Sequence, residues 1–174
     1  IRRRAIVLQK QLEKRYKTPV SLSYTMKLFE FKISEATVFF EQQKKNLNLN
    51  ENMIKGFDQF LESLDEYFDM YKIGSAEGCQ IKIFGSVTLN NRAILRATNK
   101  FQNWPWFSNI AIAMNNEELS EYPSDKGICY AKTLLITEIR PLNESPLHLA
   151  LVQWYSFKSK NIPFVYGCPL LKLS

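Results

Sequence analysis

The sequence holds little from which a covalent or metal-bound scaffold could be made. Three Cys, six Gly and seven Pro in 174 residues are too few for a disulfide framework, a collagen-like repeat or a low-complexity chain. No apolar run approaches the roughly 20 residues that a membrane-spanning helix requires. The start, Ile1-Arg2-Arg3-Arg4, carries neither an initiator Met nor a signal peptide's hydrophobic stretch, so the chain is expected to be an intracellular fragment. Glycine-rich loops of the GxGxxG or GxxxxGK kind are missing, and with them the usual cradle for a nucleotide's phosphates.

Catalytic parts are equally sparse. Cys79, Cys129 and Cys168 lie far apart in the sequence, unlike the close Cys or His pairs of a structural zinc site. They read as buried free thiols of a reducing compartment. The lone His148 stands in the run Leu147-His148-Leu149-Ala150-Leu151, where alternation predicts an outward position on a strand. Glu117, Glu118, Glu121 and Asp125 share one loop but lack the spacing of a calcium site, and solvation accounts for them. Of the acids in the strand-rich half, Glu138 alone is predicted on a strand. No active site, metal or cofactor is expected.

What is present is a chain rich enough in apolar residues, 45%, to bury a sizeable core, with unevenly placed charge. Residues 1 to 50 hold 11 basic and 4 acidic side chains, residues 51 to 70 one against six, and residues 71 to 174 eleven against seven. The basic front, Arg2, Arg3 and Arg4 with Lys10, Lys14, Arg15 and Lys17, can attract phosphates in a salt-dependent way. The alternative is a solvated helix face beside an acidic helix of the same protein.

Periodicity divides the chain in two. Ala5, Leu8, Leu12 and Tyr16 recur at helical spacing and predict a helix over residues 1 to 16. Phe29, Phe31 and Ile33 alternate as in a strand, residues 36 to 45 look helical with Ser34 as a cap, and Asn46 to Asn50 read as a connector. Met53, Phe57, Phe60, Leu61, Leu64, Phe68 and Tyr71 form one apolar stripe with an acidic opposite face, predicting a helix over 51 to 71 capped by Asn50 or Asn52 and closed near Gly74. A stripe so wide requires a partner, either a sheet or the basic first helix. From Cys79 onward the period becomes strand-like, with candidates at 79–84, 92–97, 107–114, 128–139, 147–157 and 164–173. Without βαβ alternation a parallel sheet is disfavoured. The predicted fold is α+β: helices over residues 1–74, then a small antiparallel β-barrel module over 75–174.

The aromatic clusters carry more information than the charges. Trp104-Pro105-Trp106-Phe107 follows Arg96 and Lys100, and Trp154-Tyr155 stands on the strongest strand. Aromatic faces next to basic groups can stack bases or enclose a methylated lysine. Trp154 reads as core packing, whereas Trp104 lies in a Pro-containing connector.

Arg96-Ala97-Thr98 with Phe101 and Trp104-Pro105-Trp106-Phe107, then Cys129-Tyr130-Ala131-Lys132 leading Leu134-Leu135-Ile136, then Leu149-Ala150-Leu151-Val152-Gln153-Trp154-Tyr155, form an order that resembles the C-terminal module of transposase-like proteins of the fungal Plavaka and CACTA-like transposons. The resemblance spans roughly residues 80 to 173. It implies an SH3-like or BAH-like barrel appended to a catalytic domain elsewhere, and transfers no catalytic residues. Gly167-Cys168-Pro169 follows after a short loop where better-known members carry longer acidic inserts. The expected function is a non-enzymatic binding or positioning module in the nucleus whose partner is DNA or a chromatin protein, using Arg96, Lys100 and Trp104 with Arg2, Arg3 and Arg4 adding phosphate attraction. The competing expectation is a structural or homo-oligomerisation domain with no ligand of its own.

Overall fold

The computed structural model describes residues 5–7, 22–74, 76–114, 127–157, 164–165, 168–169 and 171–173. Within them two helices pack on a large antiparallel sheet, so the fold is α+β. The order differs from the expected helices-then-strands. Ala5–Val7 is a strand, β1, where residues 1 to 16 had suggested a helix. It pairs antiparallel with residues 149–151 of a later strand. An open sheet edge offers a row of backbone partners, and Ile6 and Val7 are β-branched residues that suit it. The remainder of that predicted helix lies outside the described residues.

Strand β2, Ser23–Lys32, also precedes the helices. A 3₁₀ turn, Ile33–Glu35, then leads into α1, Ala36–Lys44. Ser34 sits inside that turn rather than capping the helix, and Glu35 takes the N-cap position without a side-chain bond. Helix α2, Glu51–Tyr71, begins at Asn50, whose side-chain oxygen accepts the Asn52 N–H at 2.9 Å. It ends at Lys72, whose φ of 49° supplies the left-handed turn expected of Gly74. Lys44 of α1 reaches Asp58 of α2 at 2.9 Å.

Nine further strands follow among the described residues: β3 Gln80–Thr88, β4 Ile94–Phe101, β5 Trp104–Phe107, β6 Asn109–Ala113, β7 Ile128–Arg140, β8 Leu147–Phe157 and three short C-terminal ones. The last predicted strand, 164–173, is broken into β9 Phe164–Val165, β10 Cys168–Pro169 and β11 Leu171–Leu173. The main sheet has nine strands in the order β1-β8-β7-β3-β4-β5, with β2 beside β3, β6 beside β7 and β11 beside β8. β3 and β7 pair only over residues 80–84 and 136–140. Beyond that point they diverge: β3 continues against β4 from Ser86 opposite Arg96, and β7 continues against β6 from Lys132 opposite Asn109. The β4–β5 hairpin and β6 fill the splay, and the sheet curls into a half-barrel. It is not the closed SH3-like or BAH-like barrel expected from the sequence, because strands with different partners along their length bend a sheet without requiring its two edges to meet.

Two cores result. One lies between the helices and the sheet, where Phe57, Phe60 and Leu64 of α2 and Phe40 of α1 meet Phe31, Ile81, Ile83, Leu135 and Leu149. The α2 stripe therefore docks on the sheet, and Tyr71 at its end stays exposed. Phe31 stacks on Phe39 with centroids 4.4 Å apart, and Phe40 on Phe57 at 4.8 Å. The other core gathers Val87, Leu95, Ala97, Ile112, Ile136, Val152 and Trp154. Trp154 is 6% exposed, as core packing requires. Strands 5–7 and 23–32 thus share a sheet with those after residue 79, and β2 and α2 share a core with β3 and β7. Among the described residues no helix is long and apolar enough to cross a membrane.

Candidate nucleic-acid interface

The β4–β5 hairpin is closed by two residues, Gln102 and Asn103, with φ of 51° and 66°. Two successive positive φ values define the tight turn whose twist matches paired strands. Asn tolerates that conformation, and Gln102 accepts it at some cost. The register runs Ala97 opposite Phe107 and Thr98 opposite Trp106, then slips by one residue so that Phe101 faces Trp104. At the slip the Lys100 N–H donates to Thr98 Oγ1 at 3.3 Å, and Lys100 is exposed.

Alternation divides the hairpin into two faces. Leu95, Ala97 and Phe107 turn inward onto the second core. Arg96, Trp104 and Trp106 take the other face, where Trp104 is 74% and Trp106 48% exposed. The Arg96 guanidinium lies over the Phe101 ring, 4.0 Å from its centroid, and 5.7 Å from that of Trp106. Phe101 and Trp106 meet edge to face at 5.6 Å. A guanidinium placed over rings in this way keeps N–H donors for an anion. Among the described residues no carboxylate pairs with Arg96 or Lys100.

The hairpin is tied down at two places, near its turn and at its base. Asn99 Oδ1 accepts the Asn50 N–H at 2.9 Å, linking β4 to the start of α2. Ser108 donates its N–H to the Arg96 carbonyl at 2.9 Å, accepts the Arg96 N–H on Oγ at 2.9 Å, and accepts the Thr133 N–H on its carbonyl at 2.8 Å. The exposed rings are therefore mounted on a fixed ribbon.

The structure brings Arg96 and Trp104 to one face and leaves Lys100 exposed at the strand irregularity beside them. Arg2, Arg3 and Arg4 lie outside the described residues, as does the Glu117 to Asp125 loop. Phe101 and Trp106 join the cluster, and the signal for their surroundings is in the sequence: from Gly78 to Asn116 there is no acidic residue, against Lys82, Arg92, Arg96 and Lys100. That run is the most one-sided stretch of charge near the aromatic cluster.

A second polar group lies elsewhere on the sheet. Glu30, Lys82, Glu138 and His148 stand in register across β2, β3, β7 and β8. The buried Glu138 accepts from Arg140 at 2.7 Å and faces Lys82 at 3.6 Å. His148 is half-buried rather than simply outward. Its Nδ1 lies 2.7 Å from Tyr24 Oη, and the two rings stack at 5.5 Å. Burial lowers the imidazole pKa, with Glu138 pulling it up and Arg140 pulling it down. Burial, then the Glu138 charge, raises the Tyr24 phenol well above its usual range. Each of these groups is engaged by a neighbour, which suits a polar seam across the strands better than a reactive centre. Cys79 and Cys129 are buried and not joined in a disulfide, and burial pushes the Cys79 thiol upward. Among the described residues no group of His, Cys, Asp and Glu could hold a metal ion. No protein-family model, curated protein or solved structure matches the chain.

Proposed function

We propose that this chain is a non-catalytic module that binds nucleic acid through the β4–β5 hairpin, serving a transposon-derived nuclear protein as the resemblance of residues 80 to 173 implies. The observation that carries the reading is the exposure of Trp104, Trp106 and Lys100 beside the half-buried Arg96 inside an acid-free stretch of four basic residues. Phosphates are drawn by the cations, and π-faces accept bases. A methylated lysine of a chromatin protein fits less well. Arg96 already lies over Phe101 and beside one side of Trp106, so a second cation entering that ring cluster is repelled, whereas Trp104 and the other side of Trp106 stay open to a neutral base.

Strand-to-strand pairing of two copies along β5 is likewise disfavoured. Pro105 has no N–H and breaks the row of edge donors. The test is a titration of the full chain with fluorescently labelled DNA and RNA over a range of salt. Binding that weakens as salt rises is the expected result. Absence of binding at low salt, or affinity indifferent to salt, overturns the proposal.

A further inference from the structure

Resting on the nucleic-acid reading above, we infer that the hairpin takes a single strand, with unpaired bases stacked on Trp104 and Trp106 and the phosphates following Arg92, Arg96 and Lys100. Three features point this way. The first is the exposure of the indoles. Trp104, 74% exposed beside the hairpin turn, and the half-exposed Trp106 can be covered by a base only if that base is free of its own neighbours. Paired bases in a duplex are already stacked, and opening a step costs a few kcal/mol. An unpaired base meets no such cost, and stacking on an aromatic side chain contributes about 1–3 kcal/mol per base.

The second is spacing. Trp104 and Trp106 are two residues apart on one face of β5, hence separated by about 6.6 Å along the strand. That is about twice the 3.4 Å rise between stacked bases on one strand, the room needed for one base between two rings. The third is the line of cations. Arg92, in the turn before β4, Arg96 and Lys100 recur every four residues along a single hairpin, the Arg96-to-Lys100 step spanning at most about 13 Å of strand. One line of charge suits one phosphate backbone, whereas a duplex groove presents two. The guanidinium of Arg96, held over Phe101 at 4.0 Å, couples the two features: it joins the ring cluster and offers its donors to the strand that stacks there.

The experiment compares the full chain's affinity for labelled oligothymidylate, which forms no hairpin, with its affinity for a duplex of equal length, at several salt concentrations, while following tryptophan emission. The expected result is at least tenfold preference for the single strand, quenching on binding, and a slope of log affinity on log salt near −2, about 0.7 for each of three phosphate contacts. Trp104→Ala should weaken oligothymidylate binding about 5- to 100-fold with little change in the salt slope. Arg96→Ala should lower both affinity and slope. Circular dichroism of each variant verifies that the fold persists. Equal or tighter duplex binding, or full affinity in the Trp104→Ala and Trp106→Ala variants, overturns the single-strand assignment and leaves the broader reading standing. Failure of every nucleic acid to bind, or selective capture of a methyl-lysine peptide instead, overturns both.

Discussion

Ser108 grips Arg96 twice, giving its N–H to the Arg96 carbonyl and receiving the Arg96 N–H on its side-chain oxygen, each at 2.9 Å. Its own carbonyl accepts from Thr133 on β7. One residue thereby carries the chain from the hairpin's ladder to that of the β6–β7 pair, at the point where β3 and β7 part. Ser108→Ala removes the side-chain bond only and leaves the Arg96 N–H without that acceptor. The expected loss is about 1 kcal/mol of stability, read from urea denaturation. Amide exchange at residues 95–98 should rise more than exchange in α2. Uniform exchange throughout would show that the serine does not hold the hairpin.

Gly56 is where α2 comes closest to the sheet. A Cβ placed there would stand 2.7 Å from Leu135 Cγ and 3.1 Å from Cδ2, and Leu135 is fully buried on β7. Gly56→Ala sets two effects against each other. Helix propensity favours Ala by about 1 kcal/mol, while overpacking a filled core costs about 1–3 kcal/mol. Leu135 is fully buried and meets the new methyl at its branch point rather than at a flexible tip, so the second effect prevails and the variant should unfold at lower denaturant. Gly56→Ala combined with Leu135→Ala should lose less stability than the sum of the two single losses, since the two sites share one volume.

Long elements with a strong period were legible in the sequence. The α2 stripe predicted residues 51–71 and the helix occupies Glu51–Tyr71. The apolar run from Leu147 predicted β8 to the residue, because burial on both faces leaves little choice of conformation. What escaped depends on distant partners. Ala5–Val7 has helical spacing but pairs with β8, 144 residues or so away in sequence, and no local pattern announces an available edge. The half-barrel arises because β3 and β7 change partners midway. That is a property of register, which composition does not encode. At the interface the residue types were visible, since Arg96, Lys100 and Trp104 stand out as basic and aromatic neighbours. The placement of Phe101 beneath Arg96 required the slip between Thr98 and Phe101.

His148 makes stability depend on pH with a definite sign. Burial disfavours its charged form, so the folded state holds the proton less tightly than the unfolded chain. Tyr24 and Glu138 face it, and Arg140 adds a repulsive charge. A group whose folded pKa is depressed stabilises the fold above its unfolded pKa, near 6.5, and loses that contribution as the pH falls through the folded value. Melting temperature should therefore drop on acidification from about pH 7 to pH 5. His148→Gln, which can still meet the Tyr24 hydroxyl, should flatten that part of the profile. An unchanged slope in the variant would assign the pH dependence to carboxylates instead.

Trp104 and Trp154 give opposite responses to the same substitution, and the contrast separates binding from folding. Trp154 is 6% exposed in the second core, among Val152, Ala131 and Ile112, whereas Trp104 is 74% exposed. Removing the buried indole forfeits its transfer free energy and leaves a cavity, at a cost of about 3–5 kcal/mol. Removing the exposed one deletes few contacts and should shift stability by no more than about 0.5 kcal/mol in either direction. Trp104→Ala should accordingly melt like the parent protein, whereas Trp154→Ala should lose much of its cooperative transition. Were Trp104→Ala to destabilise the chain comparably, the ring would belong to the core, and an open stacking surface on β5 would no longer be tenable.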